Sequence, residues 1–324
     1  LTSFLADGFQ SLDVTTDVIS MIILTQAVVG TLGNFSLLCH YTILYITGYR
    51  LRSTDLIIKH LIVANFLVLL CKGVPHTMAA FGWKQFPSDA ECKLFMYLHR
   101  VGRGVSIASI CLLSVFQVIV VNPTKSRWAE LKVKAPRYIG PSISLCWILQ
   151  MLVNINFLIF IRGKGSDKNI TDYKDFGYYF SIRHDKTKDV LFAVLLSFPD
   201  VSCLGLMLWA SGSMVFILHR HKKRVQHIHR TSTSTGSSPE SKATKTILLL
   251  VSTFVYFYTL SSIFQVVLAL LDNLSWFLVS GTASIAACFP TVSPFLLMSR
   301  DSNTRLKSSA HYEVFKSVAF NLTE

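Results

Sequence analysis

Residues 93–121 read KLFMYLHRVGRGVSIASICLLSVFQVIVV, and from Gly104 to Val121 there are 18 residues without a formal charge. A helix of about 20 apolar residues is what a hydrocarbon core of about 30 Å requires. Six further stretches have the same character, which with 93–121 gives seven: 19–46, 55–81, 93–121, 138–161, 190–218, 245–271 and 276–298. Scattered Gly, Pro, Ser, Thr and Asn interrupt them, as membrane helices tolerate when neighbours satisfy the freed backbone groups. None shows the period-two alternation of a membrane β-barrel. Composition agrees: 51% of the 324 residues are hydrophobic and 15% charged, with a mean hydropathy of +0.47. Soluble domains average about 25% charged residues, so too little polar surface is present for a soluble enzyme. An aromatic content of 12% excludes a disordered chain. The expected fold is an all-α membrane protein, a bundle of seven transmembrane helices.

An odd number of crossings places the termini on opposite sides. The formal charge of +13 comes from 31 Lys and Arg against 18 Asp and Glu. With the N-terminus outside, segments 47–54, 122–137, 219–244 and 299–324 lie inside and carry roughly twice as many Lys and Arg as the outside segments. The expected organisation is therefore an extracellular N-terminus (1–18), a seven-helix domain (19–298) and a cytoplasmic tail (299–324). No secretory signal is read at the start, and the first stretch is expected to act as a signal-anchor. No internal repeats are seen. The Ser/Thr-rich run 231–239 reads as a linker whose hydroxyls also suit phosphorylation.

Four glycosylation sequons begin at Asn34, Asn169, Asn273 and Asn321. Topology leaves Asn169 as the expected glycan carrier, because Asn34 is in the bilayer, Asn321 is inside and Asn273 lies against the membrane. Seven cysteines occur, and only Cys92 falls outside the interior of a stretch. The long outside loop 162–189 has no cysteine to pair with it. His219, His221, His227 and His229 cluster in a basic loop without Cys or carboxylate ligands, so neither a metal nor a cofactor is expected.

Ionisable side chains within spans are costly and face the bundle interior. They are Lys72 and His76 in the second stretch, His99, Arg100 and Arg103 in the third, and Asp200 in the fifth. At 1.5 Å per residue they lie at similar depths, roughly 8–16 Å below the outer rim. His99 and Arg103 share a helix face, as do Lys72 and His76. Two readings stand at this point. One is a cationic pocket for a small ligand with an anionic or strongly accepting group, gripped by an arginine fork. The other is a purely structural tie between Asp200, which follows Pro199, and Arg103. Deeper lie Asn34, Asn65 and Ser293-Pro294. Asn34 and Asn65 are expected to approach each other as interhelical hydrogen bonds, with Gly30 and Gly33 allowing helix 1 to come close. Packing and a switching role are both open for them.

Several segments resemble the vomeronasal type-1 pheromone receptors. They include Leu98-His99-Arg100-Val101-Gly102-Arg103-Gly104-Val105-Ser106, the run Cys111 to Gln117, and Asn122-Pro123-Thr124-Lys125-Ser126-Arg127-Trp128 on to Pro136. His184-Asp185-Lys186-Thr187, Ser197-Phe198-Pro199-Asp200, Leu206-Met207-Leu208-Trp209-Ala210, His219-Arg220-His221-Lys222 and Phe289-Pro290-Thr291-Val292-Ser293-Pro294-Phe295 continue it in order. The resemblance spans roughly residues 20–300. It implies a rhodopsin-like receptor in the plasma membrane of sensory neurons. Such a receptor is activated by small organic molecules, steroid-like compounds among them, and couples to an inhibitory-class heterotrimeric G protein.

The expected ligand residues are His99, Arg100, Arg103, Asp200, Lys72 and His76. The expected G-protein contacts are Lys132, Lys134, Arg220, Lys222, Lys223 and Arg224. Relatives carry an outer-loop cysteine that pairs with the one opening helix 3, and this chain has Tyr179 there. Phe116-Gln117-Val118 stands where larger rhodopsin-like families have Asp-Arg-Tyr, and Ser293-Pro294 where they have Asn-Pro. Membrane lipid is the expected surround. The alternative is a transporter or ion pathway using the intramembrane His, Arg and Asp, against which the absent repeats and single intramembrane carboxylate count. An intramembrane enzyme or a retinal protein is not supported, since 276–298 lacks a Schiff-base lysine. Nucleic-acid binding is not expected, because the basic residues are divided among loops.

Overall fold

A computed structural model describes residues 2–47, 53–80, 88–122, 127–155, 158, 161–163, 173–175, 179–182, 186–228, 239–270 and 278–299. They form helices α1 (Thr2–Ile46), α2 (Ser53–Ala80), α3 (Asp89–Val121), α4 (Arg127–Asn154), α5 (Lys186–Ile228), α6 (Pro239–Leu270) and α7 (Leu278–Ser299). Between α4 and α5 lies a small antiparallel sheet of β1 (Ile161–Gly163), β2 (Tyr173–Asp175) and β3 (Tyr179–Ile182), in the order β1-β3-β2. Gly163 of β1 faces Tyr179 of β3 in the register. The sheet was not foreseen, but the seven-helix architecture is as expected. Asn169, Asn273, Asn321, the 231–238 part of the linker and tail residues 300–324 lie outside the described residues.

Among the described residues, six helices are long and apolar enough to cross a membrane: 18–46 of α1, 53–78 of α2, α3, 198–220 of α5, 245–264 of α6, and α7. The described part of α4 stops at Asn154, inside its expected 138–161 span, and is not one of the six. Its outer surface nevertheless carries Tyr138, Leu145, Ile148, Leu149, Leu152 and Ile155, all exposed. These recur at helical spacing as an apolar stripe, which suits lipid rather than water.

Several helices outrun their expected apolar spans. Helix α5 continues through the basic run to Ile228, since no Gly or Pro interrupts residues 213–228. Helix α4 begins eleven residues before its expected span at 138, across Trp128-Ala129-Glu130-Leu131, where Lys134 pairs with Glu130 at 2.6 Å across one turn. Lys132 and Lys134 therefore sit on a helix rather than in a loop. At the start of α3, the Ser88 hydroxyl accepts from the Glu91 amide while the Glu91 carboxylate accepts from the Ser88 amide. This capping box satisfies donors that α3 would otherwise leave open.

Helix α3 is the axis of the bundle. Every residue from Gly104 to Cys111 is buried, so it is enclosed on all sides. It packs against α2, α4, α5 and α6, and Gly102 lets it close on α2, since a Cβ there would lie 3.0 Å from the Ala64 carbonyl. The main apolar core joins Ile57, Leu61 and Ile62 of α2 to Ile107, Ile110 and Leu113 of α3 and Leu250 of α6. It fills the half of the bundle where α2 begins and α3 ends, where Ser114 and Gln117 are buried as well, and the charged residues of α3 at Arg100 and Arg103 lie in the other half.

Gly30 and Gly33 let α1 come close, as expected, and the neighbour they chiefly meet is α7. A Cβ at Gly30 would lie 2.7 Å from Leu69 Cδ1 and 2.9 Å from Thr291 Oγ1, and one at Gly33 would lie 3.0 Å from Pro294 Cγ. The asparagines, however, do not bond to each other. Asn34 Nδ2 donates to the Pro290 carbonyl at 2.9 Å and to its own Gly30 carbonyl at 2.7 Å. Asn65 Nδ2 donates to Ser293 Oγ at 2.9 Å and its Oδ1 accepts from Ser106 at 2.8 Å. Asn34 is drawn to α7 because proline has no N–H: with Pro294 four residues on, the Pro290 carbonyl lacks its helical donor. Replacing Asn34 by Ala removes the substitute and is expected to destabilise the protein by about 1 kcal/mol. Thermal unfolding in detergent checks this, with Thr25→Val, whose bond to Met21 is exposed, as a control expected to change little.

Candidate functional site

The polar half of the bundle holds a cavity walled by α3, α6 and α7. His99 and Arg103 line it from α3, Phe254, Phe257, Tyr258 and Ser261 from α6, and Phe289 and Pro290 from α7. On α6 these four fall at i, i+3, i+4 and i+7, one face of the helix. Phe254 stacks on Tyr258 with ring centroids 5.4 Å apart and meets Phe289 edge-on at 4.7 Å, geometries that aromatic quadrupoles favour. About 40 Å³ is free for the centres of water-sized molecules, which is room for a few waters.

Arg103 is the charged group of this cavity. Its guanidinium carbon lies 4.8 Å from the centre of the Tyr258 ring, a cation–π distance. Nη1 donates to Ser261 Oγ at 3.4 Å, a long bond. Asp200 does not pair with it: among the described residues the ion pairs are Lys93–Asp89 and Lys134–Glu130. Instead the Tyr258 hydroxyl donates to Asp200 Oδ2 at 2.6 Å. The direct Arg103–Asp200 tie is thus replaced by a relay, because the Tyr258 ring occupies the space between the two charges. Asp200 stands behind the cavity wall.

A second, narrower cavity lies among α1, α2, α3 and α7. Lys72 and His99 line it, with Gly73, Ala27, Ala283 and Ala287. His99 therefore borders both cavities, and its Nδ1 lies 3.4 Å from the Val68 carbonyl. His76 is buried and Arg100 half-buried, and neither lines either cavity. Six expected ligand residues thus separate into two at the larger cavity, Lys72 beside His99 at the smaller, and three set back from both.

On the opposite end of the bundle, Lys132, Lys134, Arg220 and Lys223 are exposed on the start of α4 and the end of α5. The side chains of Lys222 and Arg224 lie outside the described residues. Cys92 is a free thiol but is buried, 1% exposed, at the first turn of α3. Phe254, Phe257, Tyr258 and Ser261 had no place in the sequence reading, and Phe289 stood there only within a resembling segment. The face that the first four share on α6 was the available signal, and an all-apolar helix hides it.

The family model described as the vomeronasal organ pheromone receptor family matches residues 17–307. The human vomeronasal type-1 receptor 4 is 62% identical over 279 residues, covering 86% of this chain and 93% of that protein. The human vomeronasal type-1 receptor 2 is 58% identical over 286 residues, 88% of this chain and 72% of its own length. More distantly, the zebrafish (Danio rerio) olfactory receptor class A-like protein 1 is 30% identical, with 88% of this chain and 89% of that one covered.

The relay sets an order among variants. Tyr258→Phe keeps the ring over Arg103 but leaves the Asp200 carboxylate without its donor, while Asp200→Asn still offers an oxygen to the phenol. Tyr258→Phe is expected to lower stability by about 1–3 kcal/mol and Asp200→Asn by less, as read from unfolding midpoints of the purified protein.

Proposed function

The chain belongs to the vomeronasal type-1 pheromone receptor family, a family of receptors rather than enzymes, and from that premise we propose how it works. It is a multi-pass membrane receptor, and its ligand is a small organic molecule with an acidic group. The ligand is taken between α3, α6 and α7 and reported to an inhibitory-class G protein in the plasma membrane of sensory neurons. The charge balance supports an outside N-terminus, which puts the polar half of the bundle and Asn169 on the outer side.

The observation that carries this reading is the state of Arg103. A guanidinium has five N–H donors, and among the described residues this one has a long bond to Ser261 and the face of Tyr258. No described carboxylate lies within 4 Å of it. A carboxylate or sulfate on a ligand offers the two-pronged, charge-assisted partner that such a fork lacks. The aromatic residues around it supply the apolar wall for the rest of the molecule.

Because the cavity has room for only a few waters, any larger ligand selects a conformation in which α6 stands further from α3. That differential affinity is the whole of its leverage on the receptor. The displacement of α6 reaches the other end of the bundle, where Lys132, Lys134, Arg220 and Lys223 are exposed for the G protein, with Lys222 and Arg224 as further contacts by their place in the sequence. Lys134 meets it already paired with Glu130.

The test is a cell reporter for inhibitory G protein, run with matched acids and neutral esters. In Arg103→Ala at unchanged surface expression, acids are expected to lose roughly 10- to 100-fold in potency and esters little, the size of a charge-assisted hydrogen bond. Equal potency of acid and ester on the unaltered receptor contradicts the reading.

A further inference from the structure

We propose that the chamber beside Lys72 is a binding site for a single monatomic anion of chloride size, separate from the cavity at Arg103. Lys72 lines this chamber with His99, and the remaining wall is small and apolar, with Ala27 from α1, Gly73 from α2, and Ala283 and Ala287 from α7. About 10 Å³ is free for the centre of a water-sized sphere, which is the allowance for one small particle and no more. The wall is firm: a Cβ at Gly73 would lie 2.8 Å from the Ala27 Cβ, so α1 and α2 are already in close contact there. A carboxylate or sulfate with a carbon body attached does not fit without parting them.

The chemistry of the chamber calls for negative charge. Among the described residues Lys72 has neither an ion pair nor a hydrogen bond. Asp200, the acidic group nearest in depth, is held by the Tyr258 hydroxyl. Asp55 opens the same helix seventeen residues earlier, about 26 Å along the axis. Arg100 and Arg103 on the adjoining helix add positive potential. An ammonium group within a membrane bundle with no counter-ion among the described residues is expensive, and one halide offsets that cost. Ser280, one turn before Ala283 on α7, is fully buried with its hydroxyl unpartnered, so a neutral donor also stands within a turn of the chamber.

The test uses the purified full-length chain in detergent, with neither ligand nor G protein, so its outcome does not bear on the receptor reading above. Sodium chloride or bromide is exchanged for sodium gluconate at constant ionic strength, and the unfolding midpoint is followed. The unaltered protein is expected to gain roughly 2–6 °C, saturably, in halide. Lys72→Met should abolish the gain. A midpoint that is the same in halide and gluconate overturns the proposal, and so does a halide response in Lys72→Met equal to that of the unaltered chain. Should Lys72→Met not fold, the comparison on the unaltered protein decides alone.

Discussion

A carbonyl without a donor, at Pro290, governs much of this structure. In a bilayer no water is available to satisfy it, and a second proline at 294 removes the helical N–H that would. Asn34 of α1 supplies the missing donor, and the Ser293 hydroxyl adds a weaker one at 3.4 Å. Ser293 in turn accepts from Asn65, which accepts from Ser106. One backbone defect thus recruits polar side chains from α1, α2 and α3 onto α7. The glycines at 30 and 33 follow from the same requirement, because an amide of this length reaches α7 only if the backbones are close.

The same segment of α7 forms a wall of the cavity at Arg103. Phe289 and Pro290 line it, while the carbonyl of Pro290 faces the other way toward Asn34. A molecule that presses on Phe289 therefore bears on the neighbour of Pro290, whose carbonyl holds Asn34 of α1 and the Ser293 hydroxyl that links on to Asn65 and Ser106. Sub-ångström shifts at such a junction are not absorbed gradually, since packed interiors hold discrete arrangements. Gln26 reinforces it, accepting at Oε1 from Ser284 at 3.0 Å and donating to Cys288 at 3.3 Å. The receptor is accordingly divided: an apolar core in the half where α3 ends, a charged and partly hollow half where α3 begins, and this polar junction between them.

The number and placement of the helices were legible because membrane thickness imposes a length that composition reveals directly. The close approach at Gly30 and Gly33 was legible for the same reason, since small residues in a span have few other uses. Lateral neighbours were not. Asn34 and Asn65 lie at depths that suggest each other, yet both go to α7: Asn34 to a donorless carbonyl and Asn65 to the Ser293 hydroxyl. Arg103 and Asp200 match in depth too, but the bulk of Tyr258 lies between them. Residues 254, 257, 258 and 261 form one face of α6, but periodicity announces a face only when the other faces are polar, and lipid removes that contrast. The sheet at 161–182 was masked by its charged, loop-like composition.

The central claim is that the cavity beneath Tyr258 is an accessible, positively charged ligand chamber governed by Arg103. The most direct measurement is the reaction rate of a Ser261→Cys thiol with negatively and positively charged methanethiosulfonates, each normalised to a free thiol in solution. The account predicts that the anionic reagent is favoured by roughly tenfold or more, and that Arg103→Gln erases the preference. A thiol that reacts faster with the cationic reagent, or whose preference survives the loss of Arg103, would contradict it.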